Sequence, residues 1–131
     1  MGVNYLLDTH VLLWLLGAPH RVPVAVREHL ANPNYTLLVS AVSALEIATK
    51  TRVGKLDDVG LVASWPRRIR EIGATELAIT SIHALTAGSM PWAHRDPFDR
   101  LLAAQAIHEG ATLVTADQAF RGLPAPRTLM W

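Results

Sequence analysis

The chain has no cysteine, which excludes a disulfide framework, a thiolate metal centre and a cysteine nucleophile. It also lacks a strong charge of either sign, since 12 basic and 11 acidic residues leave a formal net charge of +1. Any binding to a nucleic acid must come from a local basic patch, because there is no global positive field to attract a polyanion. No apolar run reaches the ~18 residues that cross a bilayer. The apolar N-terminal stretch is broken by Asp8 and His10 and has no basic leader, so it is not read as a secretion signal. A cytoplasmic protein is expected. Internal repeats, low-complexity stretches, a Ser-His-Asp order and a phosphate-cradling glycine motif are missing too. The 6 histidines follow no metal-ligand spacing.

What is present suits one globular unit. Half of the 131 residues are hydrophobic and 18% are charged, and the length fits a single domain over 1–131. Val3 to Leu7 reads as a buried strand ending at Asp8, and Thr9 to Leu16 as a short helix stopped by Gly17. A helix through Leu30 follows Pro23, then a strand over 36–39 and a helix from Ser40 to about Val53. A further helix between Val59 and Ile72 is disturbed at Trp65-Pro66. Residues 75–80 read as a strand, 81–87 as a short helix and 88–92 as a loop. Pro97 to Glu109 is apolar most of the way round, as a buried helix is. Strands over 112–115 and 127–130 complete the pattern. Strands alternating with helices predict a three-layer α/β/α sandwich around a mainly parallel sheet. Ligands of such sheets gather beyond the carboxyl ends of the strands, where Asp8 and Asp117 are expected.

Each acid has a structural reading. Asp8 and Asp117 stand where an aspartate caps a helix, and Asp96-Pro97-Phe98-Asp99 resembles a capping box. Glu46 and Lys50 are four apart and suited to a helical ion pair worth ~0.3–0.5 kcal/mol. Yet several of these acids are expected to converge on one sheet edge, and Glu46 has the apolar neighbours Val42, Leu45, Ile47 and Ala48. A carboxylate on a mostly buried helix is costly unless a cation or hydrogen bonds compensate it. Clustered hard oxygen donors favour Mg²⁺ or Mn²⁺ over Zn²⁺. Such ions activate water and neutralise charge building on a phosphate, so the expected chemistry is phosphodiester hydrolysis.

Four blocks carry a family resemblance: Leu6-Leu7-Asp8-Thr9-His10, residues 40–47 around Glu46, residues 96–106 around Asp99, and Leu113-Val114-Thr115-Ala116-Asp117. In order and spanning nearly the whole chain, they resemble the PIN-domain family and, more closely, VapC-type toxins of bacterial and archaeal toxin–antitoxin pairs. The resemblance implies a Mg²⁺- or Mn²⁺-dependent endoribonuclease, commonly dimeric and inhibited by a VapB-like antitoxin. It makes Asp8, Glu46 and Asp99 the central catalytic and metal-site acids, with Asp117 as the fourth. Thr9 and Thr115 match polar positions beside the metal. Asp99 matches the family acid by its distance from Leu101-Leu102-Ala103-Ala104, which leaves Asp96 mainly to capping.

Lys50, Arg95 and Arg100 are candidates for holding RNA phosphates. Arg52 and Lys55 share the Lys50 region, and Arg67, Arg68 and Arg70 read as surface. His10 and His94 lie near the acid blocks. Trp92 is a candidate for stacking on a base, whereas Trp14 and Trp65 read as core or dimer-interface residues. Two alternatives remain open: a PIN-like module that binds RNA or a partner without cutting, and a phosphatase using Asp8 as nucleophile. The second lacks the usual aspartate two positions on, where His10 stands.

Overall fold

A computed structural model describes residues 3–131, and the first two positions of the domain expected over 1–131 lie outside them. Five parallel strands form one sheet: β1 (Val3–Leu7), β2 (Tyr35–Ser40), β3 (Ala74–Leu77), β4 (Thr112–Thr115) and β5 (Thr128–Met130). Their spatial order is β3-β2-β1-β4-β5. Tyr5 of β1 is opposite Leu37 of β2 on one side and Thr112 of β4 on the other. The helices are α1 (Thr9–Gly17), α2 (Val24–Leu30), α3 (Ala41–Arg52), α4 (Val59–Ala63), α5 (Trp65–Glu71), α6 (Ser81–Ser89) and α7 (Pro97–Glu109). Together they make the expected α/β/α sandwich.

Alternation along the strands builds two cores, since successive side chains of a strand point to opposite faces. Tyr5, Leu7, Leu37, Val39 and Val114 face one layer, where they meet Val11 and Leu12 of α1, Leu30 of α2, Leu61 of α4 and Ile69 of α5. Leu6, Leu38 and Leu113 face the other, against Leu102, Ala103 and Ala106 of α7 and Phe120. Helix α3 serves both, giving Ile47 to the first core and Val42 to the second. Its residues therefore reach across the end of the sheet, and Glu46 is buried there at 4% exposure.

Local chemistry fixes the ends of the elements that carry the acids. Ser40 caps α3 by accepting from the Val42 amide at 3.0 Å. Its hydroxyl also donates to Gln105 Oε1 at 2.5 Å, tying the end of β2 to the middle of α7. Asp96 caps α7, Pro97 takes an early position, and Gly110 ends the helix with φ +62°. The helix expected between Val59 and Ile72 is two helices, broken at Ser64 before Pro66, which cannot donate within a continuing helix. Helix α6 runs two residues further than its predicted end at Ala87, and β3 ends at Leu77 rather than at Thr80. Among the described residues no helix is long and apolar enough to cross a membrane.

Candidate active site

The chain runs outward from β1 through β2 to β3, then returns to the far side of β1 for β4 and β5. The order therefore reverses between β1 and β4, and a crevice opens beyond the carboxyl ends of those strands. Asp8 directly follows β1 and Thr115 ends β4. The Asp8 amide donates to the Val114 carbonyl at 2.9 Å, and the Thr115 hydroxyl donates to Asp8 Oδ2 at 2.7 Å. The same hydroxyl accepts from the Asp117 amide at 3.0 Å. Thr115 thus links the two acids that the sequence placed at this edge. Asp8 stands at the N-cap position of α1, but its side chain makes no capping bond. The residue is 3% exposed, and its Oδ2 is held by Thr115.

The other acids come from three separate elements. Glu46 of α3 accepts from Lys50 Nζ at 2.5 Å, with the lysine side chain 35% exposed and the glutamate 5%. Asp99 lies in the first turn of α7, where His94 Nε2 is 2.7 Å from its Oδ2. Asp117 is exposed, and its Oδ1 caps the following turn by accepting from the Ala119 amide at 2.9 Å. Asp96 accepts from the Phe98 and Asp99 amides, the capping role expected of it. Thr9 is buried and its hydroxyl lies 2.8 Å from that of Ser43, which locks α1 to α3 behind Asp8 and Glu46.

These charges sense one another. Burial holds Asp8 above the usual carboxylate range, and the Glu46 charge adds to that, against the Thr115 hydrogen bond and His10. Burial likewise pushes Asp99 up to about 6, reinforced by Asp96, Asp8 and Asp117 and opposed by the His94 hydrogen bond. Lys50 is raised: burial lowers it, but the Glu46 bond and charge, with Asp96 and Asp99, more than offset that. Buried, mutually repelling carboxylates with hard oxygen donors fit a divalent cation, which relieves both burial and repulsion. Among the described residues the tightest ligand group is His94, Asp96 and Asp99, with one donor atom of each within 4.8 Å of the others. Among the described residues the four expected acids do not form such a group; their carboxylates meet Thr115, Lys50, His94 and the Ala119 amide. His94 enters the site more closely than its sequence position suggested, and its nearness to the Asp96-Pro97-Phe98-Asp99 turn was the available signal.

The basic and aromatic candidates divide. Lys50 faces the acids. Arg100, expected to hold RNA phosphate, points its guanidinium at four backbone carbonyls: Ala87 at 2.7 Å, Met90 at 2.6 Å, Trp92 at 2.6 Å and His94 at 2.9 Å. It fastens the loop carrying His94 onto α7, because a planar fork of donors gathers carbonyls that would otherwise be unpaired. Arg95 is exposed and lines a cavity between α6 and α7 with Ala84, Ala87 and Pro97. Arg67 and Arg68 pair with Glu71 on α5. Trp92, proposed to stack on a base, is packed between His94 at 4.8 Å and Phe120 at 5.5 Å between ring centroids.

Comparison with known proteins decides the family, as the PIN-domain sequence profile matches residues 5–125. The chain belongs to the PIN-domain family. It is 34% identical over 123 residues to ribonuclease VapC22 of Mycobacterium tuberculosis, covering 93% of each chain. Within the PIN family it is therefore a homologue of the VapC-type ribonucleases of toxin–antitoxin systems. The fold recurs in solved VapBC structures. That of VapBC2 from Rickettsia felis, bound to a DNA fragment from its promoter, has a TM-score of 0.72 at 20% identity, covering 98% of this chain and 99% of that one. DNA-bound VapBC from Salmonella typhimurium gives 0.68 at 18% identity, with 98% of each chain covered. VapBC-1 from nontypeable Haemophilus influenzae gives 0.62 at 19%, also with 98% of each covered.

Proposed function

We propose that this PIN-domain chain is the toxin of a toxin–antitoxin pair, an endoribonuclease that hydrolyses RNA phosphodiester bonds with Mg²⁺ or Mn²⁺. One observation carries the proposal: Asp8, Glu46 and Asp99, from three different elements, are all at most 8% exposed, and Asp8 is close enough to feel the charge of Glu46 and to act on Asp99. Burying that much like charge is unfavourable unless a cation is meant to share it. Asp8, Glu46, Asp99 and Asp117 are the proposed ligands, with His94 and Asp96 at the Asp99 end. When bound, the ion supplies positive charge that makes a neighbouring water more acidic and offsets the negative charge growing on the phosphate.

The chain's own residues then have defined tasks. Thr115 orients Asp8 by donating to Oδ2, which leaves the other carboxylate oxygen for the site. The Thr9–Ser43 contact keeps α1 and α3 in register, so Asp8 and Glu46 stay together. His94 holds one oxygen of Asp99 and fixes its rotamer, while Arg100 holds His94 through its loop. Lys50 neutralises Glu46 and is the cation best placed to take a substrate phosphate at the same site. RNA is the proposed substrate on the strength of the ribonuclease relative.

A VapB-like antitoxin and a second copy of the chain are the proposed partners. Supporting both are large apolar side chains left exposed: Leu45 and Val53 near α3, Val59 and Val62 of α4, Ile82 and Leu85 of α6. The test uses purified, antitoxin-free protein incubated with RNA. Cleavage in Mn²⁺ that stops with chelator supports the proposal, and full cleavage in excess chelator refutes its metal dependence. Thermal stabilisation by Mn²⁺ with no RNA product would favour the non-cleaving module instead.

A further inference from the structure

Two cavities meet at His10, which lines both. One, of about 280 Å³, lies between α1 and α3 and includes Thr9, His10, Lys50 and Lys55. The other, of about 260 Å³, is lined by Asp8, His10, Trp14, Ala116 and Asp117. His10 and Trp14 are four apart on α1, which puts their rings on one face of the helix. The ring centroids are 6.3 Å apart with planes inclined by 41°. Trp14 is braced from other directions by the Arg21 guanidinium, 5.1 Å from the ring centroid, and by Trp131 at 6.2 Å. A braced indole loses little freedom when a ligand stacks on it.

The two cavities differ in chemistry. On one side Lys50 is paired with Glu46, and Lys55, beside Leu13, Ile47 and Leu56, brings a second ammonium that suits a phosphate. The Trp14 side is aromatic, and Asp8 and Asp117 at its rim set it directly against the proposed metal site. An uncharged planar group with a π-face and N–H donors at its edge fits it, which describes a nucleobase. Neither Trp14 nor His10 has a task in the chemistry proposed for the acids. We infer that the His10–Trp14 cavity is a subsite for the base of a nucleotide adjoining the cleaved bond, with a phosphate of the same strand on the Lys50–Lys55 side. His10 stands on the divide between them. The inference rests on the ribonuclease reading and adds to it a determinant of which RNA sequence is cut.

The test begins by mapping the bond that wild-type protein cuts in an RNA with Mn²⁺. An oligonucleotide carrying that site is then compared with two versions in which the nucleotide immediately 5′ or 3′ of the bond is abasic. One abasic version should lower kcat/KM by about tenfold, the usual scale for a lost base–aromatic stack. That penalty should shrink to less than about twofold in Trp14→Leu and in His10→Ala, since a stack already removed cannot be lost twice. Trp14 also packs against the core, so Trp14→Phe is the control that keeps a stacking ring, and it should keep most of the penalty. His10 is exposed and its replacement leaves the core intact. Cleavage of both abasic RNAs at the parent rate, or a penalty undiminished in both variants, overturns the subsite while the ribonuclease reading stands. A wild-type protein that cuts no RNA in Mn²⁺ overturns both.

Discussion

Replacing Asp99 by asparagine should stabilise the metal-free protein and destabilise it relative to wild type once metal is added. Asp99 titrates near 6 instead of 3.8, chiefly through burial and then through Asp96, Asp8 and Asp117. Below about 3.8 its carboxyl is neutral in both folded and unfolded chains and imposes no penalty. Between 3.8 and about 6 the unfolded chain ionises first, so stability falls as pH rises, and above about 6 the penalty is complete. The difference corresponds to ~3 kcal/mol, reduced toward ~2 kcal/mol by the solvent still touching the carboxylate. Asparagine has the same shape, carries no charge and can still accept from His94. Asp99→Asn should therefore raise Tm in chelator at pH 7.5 by about 3–5 °C for each kcal/mol regained. At pH 3, where the carboxyl is neutral in folded and unfolded chains alike, the two proteins should melt close together. Mn²⁺ at a hundred times its Kd adds about 2.7 kcal/mol to a protein that binds it. Wild type should gain that and the variant much less, so the order of stability inverts. Thermal denaturation at both pH values, with chelator and with Mn²⁺, reads all four corners. A variant less stable than wild type in chelator at pH 7.5, with no inversion in Mn²⁺, would refute the reasoning.

Other perturbations separate the remaining roles. Lys50→Met frees Glu46 of its internal counter-ion, so calorimetry should show tighter Mn²⁺ binding while RNA turnover falls about tenfold, since a charged hydrogen bond is worth ~1.5–3 kcal/mol. Looser Mn²⁺ binding would contradict the assignment. Thr115→Val removes the hydroxyl that holds Asp8 Oδ2, which should cost ~1–2 kcal/mol of stability and move the acidic limb of the pH–rate profile upward. An unmoved profile would mean that Asp8 is oriented by something else. Arg100→Lys keeps the charge but loses the planar fork over four carbonyls, so denaturant unfolding should show a loss of ~2 kcal/mol or more. Limited proteolysis between Met90 and Arg95 should accelerate in the same variant.

The sequence and the structure agree best where one local signal suffices. Helix α7 begins and ends as read, because Asp96, Pro97 and Gly110 each mark a boundary through their own backbone chemistry. Strands β1 and β4 were legible as short apolar runs ending at a polar residue, and that polarity also marked the site. Reading was poorer where tertiary partners decide. Nothing near Arg100 in sequence shows that its donors meet carbonyls reaching back to Ala87, so its charge suggested phosphate instead. Trp92 was read as a candidate for stacking on a base, and its contact with Phe120, far along the chain, was not legible. Trp14 was read as core or interface, and it is half-buried with one side lining the cavity at Asp8. The Glu46–Lys50 pair was legible from its spacing of four, whereas the His94 partner of Asp99 and the carboxylate that Thr115 holds were not. Only the fold brings Thr115 to Asp8 across 107 positions.

Joint action of the buried acids in cutting RNA is read by a single comparison. Antitoxin-free wild type, Asp8→Asn and Asp99→Asn are each incubated with a labelled RNA in Mn²⁺, with parallel reactions in chelator. The account predicts discrete products from wild type in Mn²⁺ only, and at least about a hundredfold less from either variant although both remain folded, the scale of losing a group that stabilises the transition state. Undiminished cleavage by both folded variants would contradict it.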